Sequence, residues 1–267
     1  MKTYVIANQK GGVGKTATSI VLTQFLSRKG KTLAIDLDQQ GHLTMGLGGN
    51  KETEHGTFEV LTQKIPVTSA IQENKDNPNI HLLPGTINLV QMEREQIDAG
   101  IAFRLQEFVL DPLKQSGYHY EYVVIDTPPS LGVLSTIALT VCKEGGVIIP
   151  AFTDEFSLDG ANELWKTICA AKRYSNPDLK ILGILLTRHN PKTVLSRLYT
   201  EEIDKAAKMM ETKRFKTYIR ECVALREATS LGKDLLEYAG KKSHAVIDYQ
   251  NLIDELLEMD KENQKNE

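Results

Sequence analysis

Cysteine is scarce in this 267-residue chain, and long apolar runs are missing. The three cysteines, an odd number, lack the paired spacing of a metal site and fit reduced thiols better than a disulfide framework. The longest apolar runs, such as VVID and ILGILLT, are too short to cross a bilayer. No leader of the secretory type precedes the first apolar segment, so we expect a cytoplasmic protein. With 41% apolar and 25% charged residues, the composition is that of a globular protein.

The formal net charge of −3 conceals a basic segment. Residues 188–242 hold 13 Lys and Arg against 8 Asp and Glu, which gives +5, whereas the remainder holds 19 against 27, which gives −8. A locally basic region can bind a polyanion such as DNA. Solvated helix surfaces also carry such charge without any ligand, so the counts alone leave both interpretations open.

Short apolar runs alternate with helical patterns along the chain. The predicted strands are KTYVIAN, TLAID, NIHLLPG, YEYVVID, GGVIIPAF and LKILGILLT. The predicted helices cover residues 16–30, 87–115, 132–143, 157–174, 193–212, 223–231 and 243–259. This alternation predicts an α/β fold, a mostly parallel twisted sheet with helices on both faces, in a single domain over residues 1–267. We expect loops and short helices at one sheet edge over residues 41–79, and a frayed polar end over residues 259–267.

The stretch QKGGVGKT lies between the first predicted strand and the first helix, but it has Gln9 where a phosphate loop normally has glycine. Its glycines allow the backbone to fold tightly and to present N–H groups, and the helix N-terminus adds a partial positive charge. Lys15 would then reach the outer phosphates of a nucleoside triphosphate, and the Thr16 hydroxyl would ligate Mg²⁺. The stretch predicts a triphosphate site.

A dinucleotide site is the rival interpretation. GVGKTA over residues 12–17 also fits the G-x-G-x-x-A fingerprint, with the acidic Asp36 about twenty residues further on. The Lys15–Thr16 pair favours a triphosphate and its metal, and Asp126 ends the apolar run YVVID as a Walker B aspartate would. We therefore prefer a nucleoside triphosphatase, with an NAD-binding oxidoreductase as the less favoured class.

The additional lysine, Lys10, makes the pattern more specific. KGGVGKT resembles the deviant Walker A motif of the ParA/MinD class of ATPases. DLDQQGHLTMGLG (36–48), IDTPPSLG (125–132), GILLTRHNPKTVLS (183–196) and YIRECVALREATSLGK (218–233) resemble further motifs of the ParA/Soj partition ATPases, in order. The resemblance covers nearly the whole chain. It implies a P-loop NTPase fold and hydrolysis of ATP with Mg²⁺, slow unless a partner stimulates it.

The resemblance also implies catalytic and metal-binding roles. Lys10 would contact the phosphates bound by a second subunit, so that ATP joins two copies in a homodimer. Lys15 would act on the phosphates of its own subunit. Asp38 would orient the attacking water. Asp36 would complete a Mg²⁺ shell with Thr16 and Asp126.

The implied nucleotide contacts fall into two groups. The phosphate group consists of Lys10, Gly11, Gly12, Val13, Gly14, Lys15, Thr16 and Ala17. The candidates near the base are Thr187, Arg188, Tyr218 and Arg220. Glu155 would lie near the nucleotide and the dimer face.

Finally, the resemblance implies that the ATP dimer binds non-specific DNA and associates with the nucleoid. A ParB-like centromere-binding partner would stimulate hydrolysis and release the protein from DNA. The DNA-contact candidates are Lys192, Lys213, Arg214, Lys216, Arg220 and Arg226. The last helix is acidic on its polar face, so no membrane partner is expected. An ATPase that positions a protein cargo would share these catalytic residues and remains the alternative.

Overall fold

The structure, a computed structural model, describes residues 1–94, 100–152 and 158–266. Within these residues eight strands form one sheet. They are β1 Lys2–Ile6, β2 Thr32–Asp36, β3 Gln72–Glu73, β4 Ile80–Leu83, β5 Tyr122–Asp126, β6 Gly146–Phe152, β7 Ile181–Thr187 and β8 Arg214–Tyr218. The strand order is β3-β4-β2-β5-β1-β6-β7-β8, and every neighbouring pair is parallel except β3 with β4. The predicted α/β class is confirmed.

Helices connect these strands. They are α1 Lys15–Leu26, α2 His42–Gly46, α3 Thr57–Leu61, α4 Asp111–Gln115, α5 Val133–Thr140, α6 Leu158–Tyr174, α7 Val194–Met209, α8 Val223–Ser230, α9 Leu235–Ala239 and α10 His244–Asn266. None of the helices in the described ranges is long and apolar enough to cross a membrane. Apolar residues of α1, α8, α9 and α10 pack on one face of the sheet, and those of α5, α6 and α7 pack on the other. The prediction of helices on both faces is confirmed.

One predicted helix is wrong. The segment 87–115 is not continuous: it contains 3₁₀ turns at Ile87–Gln91 and Ile101–Phe103, a π turn at Gln106–Leu110, and then α4. Pro112 has no N–H to donate to the carbonyl of Phe108, so regular α-helical hydrogen bonding cannot run through this point. The apolar period survives the change, because Leu105, Val109 and Leu113 remain buried.

The C-terminal segment also differs from the expectation. Helix α10 continues to Asn266, beyond the predicted helix end at residue 259. Its residue Asp260 is buried and accepts hydrogen bonds from Lys2 Nζ (2.6 Å) and Tyr4 Oη (3.2 Å). These contacts to β1, together with an apolar stripe that includes Leu252 and Leu256, hold the last turns against the sheet.

Sequence reasoning missed β3 and β8, the two edge strands. In β8, RFKTY, Phe215 is buried while Lys216 is exposed. An edge strand needs fewer apolar residues than a central one, because one of its sides is open to solvent. The irregular stretch 41–79 otherwise has the predicted short helices, α2 and α3, beside the β3–β4 edge.

The sheet places the candidate site. Strands β2, β5 and β1 are neighbours, and their carboxyl ends lie at the same edge. Asp36 at the end of β2 is the register partner of Asp126 at the end of β5, and Asp126 is the partner of Ile6 on β1. The loop that follows β1 therefore runs directly beside two aspartates.

Candidate functional site

The loop between β1 and α1 has the backbone form that the glycines predict. Gly12 and Gly14 have φ values of 75° and 88°, in the left-handed region that favours glycine. Gly14 is the N-cap of α1, so the helix begins directly after this turn. Asn8 fixes the start of the loop: its Nδ2 donates to the Pro150 carbonyl (2.7 Å), and its Oδ1 accepts from the Lys10 amide (3.0 Å).

Lys15 lies inside this loop. Its side chain is 7% exposed, and Nζ donates to the carbonyl oxygen of Lys10 at 3.0 Å. Burial lowers the pKa of the Lys15 ammonium, and the carboxylates of Asp126 and Asp38 oppose that shift. The Lys15 ammonium therefore lies near both the loop backbone and two acidic side chains, in a loop whose N–H groups can bind phosphate oxygens.

Asp126 is completely buried and held by two hydroxyl groups of α1. Thr16 Oγ1 donates to its Oδ2 at 2.7 Å, and Ser19 Oγ donates to its Oδ1 at 2.8 Å. Burial raises the pKa of this carboxyl to about 7, and the nearby Asp36 contributes to the rise, while both hydroxyl groups counteract it. The carboxylate is oriented rigidly in surroundings that disfavour its negative charge.

Asp36 is equally buried and is held from the segment that follows β2. The backbone N–H and the hydroxyl of Thr44 donate to its Oδ2 at 2.9 and 2.7 Å, and the Asp38 amide donates to its Oδ1 at 3.0 Å. Burial raises the pKa of Asp36 to about 6. Thr44 Oγ1 also accepts from the Gly85 amide (2.9 Å), so this threonine joins the loops after β2 and β4.

The donor set fits Mg²⁺. Thr16, Asp36 and Asp126 offer hard oxygen ligands, and two buried carboxyl groups with raised pKa values would be stabilised as anions by a divalent cation. Across the described residues there is no group of three or more His, Cys, Asp or Glu side chains suited to a metal ion. Magnesium ions are commonly bound by one or two carboxylates together with waters and the phosphates of a nucleotide, and Asp36 and Asp126 offer such carboxylates.

Asp38 lies at the same edge, two residues beyond the end of β2. It is 8% exposed, its Oδ1 accepts from the Gln40 amide (2.9 Å), and its charge acts on Lys15. The structure therefore places the Asp38 carboxylate beside the phosphate loop, near the Asp36–Asp126 pair, with its Oδ1 bonded to the Gln40 amide. Its role toward water stays a prediction.

A cavity of about 180 Å³ opens next to the phosphate loop. It is lined by Gly12, Gly14, Ala17, Thr187, Arg188, Ile219, Arg220, Glu221, Cys222, Leu225, Arg226, Thr229 and Tyr249. Thr187 Oγ1 donates to the Val13 carbonyl at 2.8 Å, which fixes the end of β7 against the loop. Arg188 lies over the Phe152 ring at 3.8 Å, and its Nη2 donates to the Gly12 carbonyl (3.4 Å).

Three of the four residues predicted near the base line this cavity, and Tyr218 does not. The Tyr218 ring packs edge-on against His189, with ring centroids 4.9 Å apart, and contributes to the core on the α5–α7 face. Strand β8 ends at Tyr218, and Ile219 and Arg220, which follow it, line the cavity. Glu155 lies outside the described residues.

The six predicted DNA contacts do not share one environment. Lys192, Lys213 and Lys216 are exposed, whereas Arg214 is paired with Asp204 (Nε to Oδ1, 2.8 Å). Arg220 and Arg226 line the cavity beside the phosphate loop, although Arg226 is also exposed. Which of these cations are exposed, paired or part of the cavity wall was not visible in the sequence counts.

Sequence reasoning missed Ser19, Thr44 and Asp248. Ser19 could have been found, because it stands three residues after Thr16 on a helix and so shares its face. Thr44 carried no local signal, since its contact with Asp36 depends on how the loop after β2 folds back. Asp248, which binds Arg220, stands 28 residues away in the sequence.

Known proteins are similar to this chain in sequence and in fold. A family model described as an AAA domain matches residues 1–181, more than half of the chain. The sporulation initiation inhibitor protein Soj of Bacillus subtilis (strain 168) is 36% identical over 249 residues, which span 92% of this chain and 94% of that protein. The chromosome-partitioning ATPase Soj of Thermus thermophilus is 35% identical over 258 residues, 96% of each chain.

A solved structure extends the similarity. A plasmid partition protein of Borrelia burgdorferi B31, bound to AMPPNP, superposes with a TM-score of 0.78. It is 26% identical, and the match covers 97% of this chain and 99% of that one. The similarity in sequence and the similarity in structure thus both extend over almost the full length.

Proposed function

The chain belongs to the Soj/ParA family of partitioning ATPases, and from this premise we propose how its site drives DNA partition. The protein is an ATPase that uses ATP and Mg²⁺. The observation that carries the proposal is the phosphate loop, with Lys10 and Lys15, set directly beside the buried Asp36–Asp126 pair. Two of the three similar proteins are named for chromosome or plasmid partition, so a DNA cargo is preferred to the protein cargo considered above.

The oxidoreductase interpretation is not supported. In a dinucleotide site the acidic residue after the second strand binds a ribose hydroxyl. Here Asp36 is 0% exposed, and both of its oxygens already accept hydrogen bonds from Thr44 and Asp38. It belongs to the metal end of the site.

Each side chain then has a defined task in hydrolysis. The loop amides and Lys15 bind the phosphates. Thr16, Asp126 and Asp36 would hold Mg²⁺, which would supply neutralisation of phosphate charge, the main requirement of phosphoryl transfer. Asp38 orients the attacking water. Because a single carboxylate would act on the water, we expect slow turnover that a centromere-binding partner accelerates.

Lys10 serves the assembly of two subunits. Its backbone N–H donates to Asn8 and its carbonyl accepts from Lys15, so the loop fixes the backbone from which the side chain extends. Facing loops from two copies would repel each other through their lysines unless triphosphates offset the charge. We therefore expect ATP to join two copies with Lys10 of each contacting the partner's nucleotide, and ADP to do so less well.

The DNA surface of this dimer follows from the environments above. Lys192, Lys213 and Lys216 are exposed cations; Lys213 immediately precedes the edge strand β8, and Lys216 lies within it. Phosphate contacts of this kind give weak, sequence-independent and salt-sensitive binding per subunit. Dimerisation doubles the number of contacts, so the nucleotide state controls DNA affinity through avidity.

One experiment tests the proposal. Sedimentation and gel shift on random-sequence DNA are run with ATP, with ADP and without nucleotide, for the wild type and for Lys10→Ala. We expect an ATP-dependent dimer and DNA shift for the wild type. Lys10→Ala should bind ATP but remain monomeric and lose the shift. A wild-type protein that stays monomeric at saturating ATP and Mg²⁺, or a Lys10→Ala variant that dimerises fully, would refute the nucleotide-joined dimer.

A further inference from the structure

The cavity beside the phosphate loop is bounded by the C-terminal helix. At about 180 Å³ it is smaller than the roughly 300–1,000 Å³ pockets that enclose a whole ligand. It therefore suits one planar portion of a nucleotide, with the phosphates on the adjoining loop. Its wall is largely apolar, with three arginines, Arg188, Arg220 and Arg226, and the ring of Tyr249 from α10.

Arg220 does not extend freely into solvent. Asp248 of α10 accepts from its Nε at 3.1 Å (Oδ1) and 3.0 Å (Oδ2), from its Nη2 at 2.5 Å, and from its backbone N–H at 2.9 Å. The Asp248 side chain is 6% exposed, whereas that of Arg220 is 36% exposed. A buried carboxylate thus fixes both the backbone and the side chain of a half-exposed arginine in the cavity wall, and this pairing raises the pKa of Arg220.

The next residue of α10 contributes another part of the wall. Tyr249 is 1% exposed, lines the cavity, and shares a hydrogen bond with Thr18 Oγ1 at 3.3 Å. Thr18 lies in the first turns of α1, directly after the phosphate loop. Two consecutive residues of α10 therefore hold two parts of the cavity wall: the segment after β8 through Arg220, and the helix after the loop through Thr18.

We propose that Asp248 is a positioning residue for nucleotide recognition: it holds the Arg220 guanidinium in the wall of this cavity, where the guanidinium contacts the base. The proposal rests on the ATP-binding function proposed above. Asp248 occupies the Nε–H and one Nη2–H, which leaves the Nη1 donors and the flat face of the group for a ligand. A fixed planar guanidinium stacks well on an aromatic ring, and the carboxylate reduces the entropy lost on binding. Arg220 thus serves the nucleotide and is removed from the set of DNA contacts.

The test compares a ligand that has a base with one that lacks it. Calorimetry with Mg²⁺ measures the Kd of ATP and of inorganic tripolyphosphate for the wild type, Asp248→Asn, Arg220→Ala and the double variant. We expect Asp248→Asn to weaken ATP binding about tenfold, because one charge-assisted interaction loses its positioning. Tripolyphosphate binding should change less than about twofold, since the phosphate loop is untouched.

The double variant shows whether Asp248 acts through Arg220. If it does, the double variant binds ATP as weakly as Arg220→Ala alone, since neighbouring residues of one interaction are not additive. Asp204→Asn is the matched control, because it breaks a comparable arginine pair, with Arg214, that does not line the cavity. It should leave the Kd values of both ligands unchanged.

Three results would overturn the proposal: an equal loss for ATP and tripolyphosphate in Asp248→Asn, no loss for either, or additive effects in the double variant. Should Asp248→Asn not fold, the same two Kd values are measured for Arg220→Lys, which changes the more exposed partner of the pair. ATP binding should again weaken more than tripolyphosphate binding. A wild type that binds neither ligand would instead contradict the proposed ATPase function, so the two failures are distinguishable.

Discussion

Replacing Asp126 by asparagine should stabilise the protein at alkaline pH when no magnesium is present. The carboxyl is completely buried, and its pKa is raised from 3.8 to about 7 by burial and by the neighbouring Asp36. Because the folded protein holds this proton more tightly than the unfolded chain does, stability falls as the pH rises from about 4 to about 7. Asparagine has nearly the same shape and carries no charge to desolvate.

The size of the effect follows from linkage. A shift of about three pKa units, at about 1.4 kcal/mol each, means that ionised Asp126 destabilises the fold by about 4 kcal/mol at pH 8. Asparagine Oδ1 can still accept from Thr16, but Nδ2 cannot accept from Ser19, which costs about 1–2 kcal/mol. Ser19 retains its bond to the Lys15 carbonyl (3.1 Å). The net gain at pH 8 is about 2–3 kcal/mol. At pH 4.5 the linkage gain is about 1 kcal/mol, which the lost hydrogen bond offsets.

The assay is thermal unfolding of wild type and Asp126→Asn in EDTA at pH 8 and pH 4.5, then at pH 8 with Mg²⁺ and ADP. A gain of this size should raise the Tm by about 4–10 °C at pH 8. It should vanish at pH 4.5. With Mg²⁺ and ADP the difference should shrink or reverse, because the wild type binds the ligand pair more tightly and is stabilised by mass action.

A matched control uses another buried aspartate. Asp260 has a cationic partner, Lys2 at 2.6 Å, so Asp260→Asn should lower the Tm at pH 8 instead of raising it. The reasoning would be refuted if Asp126→Asn were less stable than the wild type by the same margin at both pH values. That outcome would mean that the two hydroxyl donors stabilise the Asp126 anion enough to keep its pKa near the ordinary value even without a metal.

Two further predictions concern function. Asp38→Ala should lower ATP turnover by about 100-fold or more while ATP affinity changes little, because the side chain acts on water and not on binding. Steady-state kinetics measures the turnover and calorimetry the affinity. Near-normal turnover would show that Asp38 does not orient the water. Lys213→Glu combined with Lys216→Glu should weaken DNA binding and lower its dependence on salt, because two phosphate contacts per subunit are lost. Sedimentation should still show the ATP dimer, and a variant that binds DNA normally would place the DNA surface elsewhere.

The sequence by itself determined the phosphate loop, the parallel sheet and the position of Asp126. These features are local: glycine spacing dictates the backbone form around Gly12 and Gly14, and an apolar run that ends in an acidic residue marks the end of a central strand. Because parallel strands end at one edge, the meeting of Asp36 with Asp126 was also predictable. The failed helix over 87–115 shows the limit, since the apolar period persists at Leu105, Val109 and Leu113 but does not reveal the 3₁₀ and π turns that divide the segment.

Only the tertiary structure decided which groups orient the site. Ser19 and Asp126 are 107 residues apart, and Arg220 and Asp248 are 28 apart, yet each pair meets within about 3 Å. It also decided that Tyr218 turns to the core and that Arg214 is paired. Such contacts depend on how separate elements pack. The same type of side chain can lie exposed on the surface or be held by a partner in the wall of a cavity. Residue type and spacing along the chain do not encode that choice, because the partner is brought in by the fold.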